Sequence, residues 1–292
     1  MVSAGERRAR STAELLAGSC AEITGGALRS VVLHGSLAAG GFRPGRSDID
    51  VLAVVAGGLA DDQAAALERA VRQADLGGAA GLDVHVVTAE VAGAPTRQPA
   101  LELHVGRSAG PAAECEVERR TPAAPDLLTE LSMARAHGIA LRGADSREVI
   151  APVPDAWVVD RGRHWLLTWR SLTGDTRHAA FMVLTACRIW RFAVEHVHCA
   201  KAQAAAWALD RDPSLSAVRQ ALQQYEHEPA SPIDERALAD LLDTVLDATT
   251  PATPSSPRAG DEPFAIQERR RQRPADPVEQ QQGRGGGDTG QQ

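Results

Sequence analysis

Apolar and polar positions along the chain follow two regimes that change near residue 150. Before that point, short apolar runs alternate with amphipathic stretches. Val31-Val32-Leu33, Val51 to Val55 and Val84 to Val87 read as strands, rich in β-branched residues. Leu101-Glu102-Leu103-His104-Val105 alternates strictly and adds a further short strand. Asp61 to Ala74 places Ala66, Leu67, Ala70 and Val71 at helical spacing behind an acidic first turn. Ser11-Thr12-Ala13-Glu14 has the form of a capping box and predicts a helix from there to Thr24, ended by Gly25-Gly26. Asp126 to Leu141 predicts another helix, stopped by Gly143.

Ala151-Pro152-Val153-Pro154 is a stiff, extended connection, because each proline disfavours helix at the residue before it. Beyond it the spacing is helical as far as Asp247. Arg177 to Val197 is apolar almost all round, with Phe181, Met182, Val183, Leu184, Ile189, Trp190, Phe192 and Val194, and predicts a helix buried inside a bundle. Lys201 to Leu209 and Asp234 to Ala248 predict two more helices, the last with Leu238, Leu241, Leu242 and Val245 at core spacing. The expected architecture is an α/β region over residues 1–152, a small mixed sheet with helices, followed by an all-α helical bundle over 153–249. Residues 250–292, rich in Pro, Gln, Gly and Arg, are expected to stay disordered, with Glu268 to Arg273 a solvated run of charge.

Candidate chemistry concentrates between Val31 and Val55. A strand runs into Gly35-Ser36, and after a spacer of eleven residues Asp48-Ile49-Asp50 opens the next strand. Alternation puts Asp48 and Asp50 on one face, where two carboxylates repel each other unless a cation lies between them. Backbone N–H groups and a hydroxyl at Gly35-Ser36 suit a phosphate, and the Asp pair supplies oxygen ligands for Mg²⁺. Asp83 interrupts another apolar strand, and a buried acid there needs a partner. In the bundle, Arg188 lies one turn from Leu184 and Phe192 on an apolar face, so its guanidinium needs an anion, either a carboxylate or a nucleotide phosphate. Lys201 opens a helix, where its charge opposes the helix dipole.

Composition narrows the partners. The chain has 292 residues, 43% hydrophobic content and a net charge of −7, enough for proper cores. A basic block is missing before residue 250, which argues against a nucleic-acid partner and suits a cationic small molecule. No run approaches the ~20 apolar residues of a membrane span, and Met1 to Glu14 lacks the apolar core of a signal peptide. Cys20, Cys115, Cys187 and Cys199 are scattered without a CxxC pair, as reduced thiols in a cytoplasmic protein would be.

Gly-Ser, a spacer and Asp-x-Asp on a strand resemble the signature of the polymerase-β-type nucleotidyltransferase superfamily, whose third acid falls on Asp83. A narrower resemblance spans roughly residues 28 to 228. Leu33-His34-Gly35-Ser36, Ser47-Asp48-Ile49-Asp50-Val51-Leu52, Ala134-Arg135-Ala136-His137, Pro152-Val153-Pro154, Val183-Leu184-Thr185, Arg188-Ile189-Trp190, Lys201, Ala206-Trp207-Ala208 and Gln224-Tyr225 look like the bacterial adenylyltransferases that modify streptomycin and spectinomycin. The resemblance implies a nucleotidyltransferase domain and a helical domain closing over ATP and an aminoglycoside or aminocyclitol. Asp48 and Asp50 would hold Mg²⁺, while Gly35, Ser36, Ser47, Arg188 and Lys201 would contact the triphosphate. Tyr225 falls on another nucleotide-side position. Asp83 stands where the family carries its catalytic base, usually Glu, and its shorter side chain suits either a base or a metal ligand. AMP would pass to a substrate hydroxyl with release of pyrophosphate. Ser108 stands about where streptomycin-modifying members carry a Trp. Their antibiotic-binding Asp aligns with His178, or with Asp175 after an insertion. Spectinomycin is therefore favoured over streptomycin, and the enzyme is expected to be a monomer away from membranes. The alternatives are another small-molecule or protein acceptor, or a catalytically silent nucleotide-binding regulator.

Overall fold

The strand-forming runs pair into one six-stranded sheet of order β5-β4-β3-β2-β1-β6. Its strands are β1 (Leu28–His34), β2 (Ile49–Val55), β3 (Gly81–Thr88), β4 (Leu101–Ser108), β5 (Cys115–Thr121) and β6 (Ile139–Gly143). β2 and β3 run parallel and every other neighbouring pair is antiparallel, so the sheet is mixed. The computed structural model describes residues 3–110, 114–226 and 232–250, and the disorder expected of the C-terminal segment falls outside these except at residue 250.

Alternation sorts the side chains onto two faces. Val31, Leu33, Val51, Ala53, Val84, Val86, Leu103 and Val105 pack under α1 (Ala4–Thr24) and α3 (Asp61–Gln73). Val32, Leu52, Val54 and Val87 face the other way, onto Leu127, Leu128 and Leu131 of α5 (Leu127–His137). On this second face, strand ends carry polar groups instead of aliphatics. His34, Asp50, Asp83, Gly106 and Glu116 stand opposite one another in a row across β1 to β5. The site is built on that row.

The helical part comprises α7 (Asp155–Arg170), α8 (Ala179–Glu195), α9 (Lys201–Arg211), α10 (Ser216–Glu226) and α11 (Glu235–Ala248). Asp234 caps α11 by accepting from Ala237 N–H at 2.8 Å, and Leu238, Leu241, Leu242 and Val245 are fully buried as their spacing required. Val158 of α7 and Phe192 of α8 share a core with Val32 and Leu52, so sheet and helices form one compact body through Thr250. Among the described residues no helix is long and apolar enough to cross a membrane.

Three expectations are corrected, and one strand was not anticipated. The first helix starts at Ala4, because Ser3-x-x-Glu6 repeats the Ser-x-x-Glu pattern upstream and Ser3 Oγ accepts from Glu6 N–H at 3.0 Å. The helix after Asp126 ends at His137, and Ile139–Gly143 leaves it to become the edge strand beside β1. β5 escaped detection because it is a largely exposed edge strand whose charged residues conceal its alternation. Phe181 and Val194 of α8 are exposed at 49% and 43%, so that helix is not apolar on every side by necessity.

Candidate active site

β1 delivers the chain into α2 (Gly35–Ala38), one turn long, whose leading N–H groups have no acceptor inside the helix. Gly35 has φ +63°, and a Cβ there would lie 1.8 Å from Asp50 Oδ2. The Asp50 carboxylate therefore occupies space that any other residue at 35 would fill. Asp48 is seated in the same way: a Cβ at Gly81 would come within 2.6 Å of its Oδ1. Ser47 is buried, and its Oγ accepts from Arg43 N–H at 3.1 Å, pinning the loop that leads into Asp48.

Crowding shows in the electrostatics. Burial, then the charges of Asp83 and Asp48, push the Asp50 carboxyl up to about 7, against the opposing pull of Arg188 and Lys201. Asp48 is raised by burial and Asp83, with Lys201 opposing. Burial and the charge of Asp50 push Glu130 on α5 up to about 8. Glu130 Oε2 lies 3.6 Å from Nδ1 of fully buried His34, whose pKa burial lowers to about 3, so that ring is neutral.

Gly35, Ser47, Asp48, Asp50 and Glu130 line one cavity of about 440 Å³ between the sheet and the helices α5 and α7 to α10. Gly35, Ser36, Ser47, Asp48 and Asp50 form one wall; Arg188, Lys201 and Tyr225 come from the helices opposite. Arg188 meets no carboxylate within ion-pair distance among the described residues, and its Nη2 donates to Met133 Sδ at 2.8 Å. Lys201 Nζ sits 5.1 Å above the Phe181 ring; burial and Arg188 lower its pKa while Asp48 and Asp50 hold it up. Tyr225 carries Arg43 over its ring at 5.0 Å. Asp83 is absent from the lining. It stands one strand over, opposite Asp50 in the register, with its Oδ1 3.2 Å from His104 Nε2.

Another part of the lining is aromatic. Asp126 accepts two hydrogen bonds from Arg161, at 2.7 and 2.8 Å, and one from Trp165 Nε1 at 2.6 Å. Trp165 stacks on Trp169 at 5.8 Å, and Trp169 meets Phe181 edge-on at 5.7 Å.

Two family models match the chain: "Nucleotidyltransferase domain" over residues 16–103 and "Aminoglycoside adenylyltransferase, C-terminal domain" over 148–248. An aminoglycoside (3'') (9) adenylyltransferase of Klebsiella pneumoniae is 31% identical over 222 residues, 71% of this chain and 83% of that protein. The Escherichia coli protein of the same name is 31% identical over 223 residues, with the same coverage. The chain belongs to the aminoglycoside adenylyltransferase family. That makes it a nucleotidyltransferase. Its fold matches the crystal structure of a spectinomycin adenyltransferase from Enterococcus faecialis with ATP and spectinomycin, at a TM-score of 0.64 and 15% identity, covering 82% of this chain and 98% of that one.

Within this family member, sequence reasoning overlooked Glu130, Asp126, Trp165, Trp169 and Phe181 as cavity residues. Trp165 and Trp169 carried a signal, since spacing of four puts both rings on one helix face. The three residues weighed for the acceptor, Ser108, Asp175 and His178, lie elsewhere. Ser108 ends β4, its Oγ accepting from Glu114 N–H at 2.9 Å. The Asp175 carboxylate accepts from Arg177 and His178 N–H and pairs with His178 Nδ1 at 2.6 Å, and neither residue lines the cavity.

Proposed function

We propose that this protein transfers AMP from ATP to a hydroxyl of an aminoglycoside or aminocyclitol, with spectinomycin preferred over streptomycin, and releases pyrophosphate. The observation that carries this reading is the cavity itself. A crowded carboxylate pair faces an arginine and a lysine across it.

The carboxylates fit a divalent cation. Asp48 and Asp50 are held at raised pKa by burial and repulsion, in seats that Gly81 and Gly35 leave open for them. Mg²⁺ commonly binds through one or two carboxylates and completes its shell with water and phosphates, a role Asp48 and Asp50 would fill. Bound there, Mg²⁺ supplies charge stabilisation at the α-phosphate and the departing pyrophosphate.

The protein's own groups do the rest. Gly35 and Ser36 orient the triphosphate through N–H groups and a hydroxyl. Arg188 and Lys201 offset the phosphate charge from the helical side, and Tyr225 borders the nucleotide. Asp83, just outside the cavity lining but beside Asp50 across β2 and β3, is the group we assign to accept the proton of the acceptor hydroxyl as its oxygen bonds to the α-phosphorus and the bond to pyrophosphate breaks. Trp165, Trp169 and Phe181 give the acceptor an apolar wall beside the carboxylates of Glu130 and Asp126, with Arg161 and Lys201 already lying over the Trp165 and Phe181 rings. The preference for spectinomycin rests on the sequence resemblance alone, in which Ser108 stands in place of a Trp and the family's antibiotic-binding Asp falls on His178 or Asp175; none of these lines the cavity.

Pyrophosphate release should be followed with ATP and Mg²⁺ in the presence of spectinomycin, streptomycin or no acceptor. Release that depends on spectinomycin is expected. Release with no acceptor, or no release with either drug, would overturn the reading.

A further inference from the structure

The row of polar groups on the second sheet face continues past Asp83. One register step along, His85 of β3 stands opposite His104 of β4, and His104 stands opposite Glu118 of β5. The two imidazoles stack with centroids 4.4 Å apart and planes 16° from parallel. Directly opposite Asp83 is Gly106, and the missing side chain leaves an opening in the face. His104 reaches diagonally into it, bringing Nε2 to 3.2 Å from Asp83 Oδ1. A Cβ at Gly106 would lie 2.8 Å from that oxygen and 3.3 Å from that nitrogen. Glycine at 106 is therefore what makes the contact possible.

We propose that His104 is the positioning residue of the Asp83 base. The inference rests on the AMP-transfer reading above. An ionised carboxylate can only accept, so Nε2 carries the hydrogen and donates it to Oδ1. That bond occupies one oxygen, fixes the carboxylate's rotation and leaves Oδ2 for the acceptor hydroxyl. It also places a donor beside the outermost of three mutually repelling acids. His85, stacked beneath, stays neutral because burial, then the charge of His104, lowers its pKa to about 4; it holds the ring plane without competing for the carboxylate. For His104 itself, burial pulls downward, but the hydrogen bond and charge of Asp83, joined by Glu118 and Glu116, outweigh it and leave its pKa raised. A side chain one methylene shorter than Glu has fewer rotamers to fix, so a single lateral bond suffices to hold it.

The test compares His104→Leu, His104→Gln and Gly106→Ala with the unmodified chain, each checked for folding by its melting temperature. His104→Leu should lower kcat roughly 10- to 100-fold, less than the roughly 10²- to 10⁴-fold loss of a base, with KM for ATP unchanged. His104→Gln keeps an N–H donor and should recover most of that loss. Gly106→Ala should lower kcat while leaving His104 in place. In an Asp83→Ala background, His104→Leu should cost nothing further, because the two act as a unit. A readout independent of activity is the imidazole ¹⁵N spectrum above the His104 pKa, which should show the Nε2–H tautomer and shift in Asp83→Asn. Full activity in His104→Leu, an additive loss in the Asp83→Ala background, or an Nδ1–H tautomer would overturn the assignment. No AMP transfer by the unmodified chain would overturn the proposed function itself, whereas an active parent with indifferent His104 variants would sink only this inference.

Discussion

The two ends of the cavity are built from opposite materials. At the sheet end, Asp48 and Asp50 are forced together by short backbone segments and seated over glycines, and burial with mutual repulsion raises both pKa values. At the helix end, Trp165, Trp169 and Phe181 stack edge and face from α7 and α8, and Asp126 is neutralised by two bonds from Arg161. One end stores electrostatic strain that the proposed cation and phosphates would relieve; the other offers a low-strain surface that would select an acceptor by shape. The difference suggests where each kind of error is tolerated. On the proposed function, moving a carboxylate should lose the cation, whereas exchanging a ring should change the acceptor.

Substitutions can separate the two ends. The largest effect is expected for Asp48→Ala, which removes one of two metal-binding carboxylates. Turnover should fall about 10³-fold or more, corresponding to the several kcal/mol a cation contributes. Melting temperature should hold or rise as repulsion is relieved, and thermal melts beside initial rates read both. Next comes Arg188→Ala. Losing charge-assisted bonds of about 1.5–3 kcal/mol should lower kcat/KM for ATP about 10- to 100-fold and leave KM for the acceptor alone. Trp165→Ala should do the reverse, raising KM for the acceptor about 30-fold, as a lost aromatic anchor of about 2 kcal/mol would, with ATP unaffected. If each variant shifted both KM values equally, the division between the two ends would be wrong.

The legibility of the site followed the same division. Gly35-Ser36 and Asp48-Ile49-Asp50 lie within one strand-turn-strand segment, so local spacing alone placed them together. Asp126, Glu130, Trp165, Trp169 and Phe181 come from three separate helices with no motif linking them, and packing alone brings them to one wall. Gly81 and Gly106 were equally hidden, since each matters through an acid on another segment. In the fold, buried strands announced themselves by apolar runs. β5 and β6 did not, because edge strands keep polar or exposed side chains that mimic loop or helix ends.

The smallest expected effect concerns stability and pH. Glu130 has its folded pKa raised to about 8 by burial and the charge of Asp50. Below an unfolded value of about 4.3 both states are protonated and the group costs nothing. As pH rises, the unfolded chain loses its proton first, so stability falls through the interval up to about 8 and then levels. Glu130→Gln should thus melt a few degrees above the parent at pH 8.5, roughly 2–4 °C for each kcal/mol relieved, and level with it at pH 4. A difference that does not grow with pH would mean that Glu130 is already paired.

The central claim is that both ends serve one reaction, and product mass tests it most directly. The full chain should be incubated with ATP, Mg²⁺ and spectinomycin, then with streptomycin, alongside Asp48→Ala, and the drug analysed by mass spectrometry. The expected result is spectinomycin carrying one added AMP, with matching pyrophosphate and no product from the variant. Unmodified drug in every arm, or the same product from Asp48→Ala, would contradict the account.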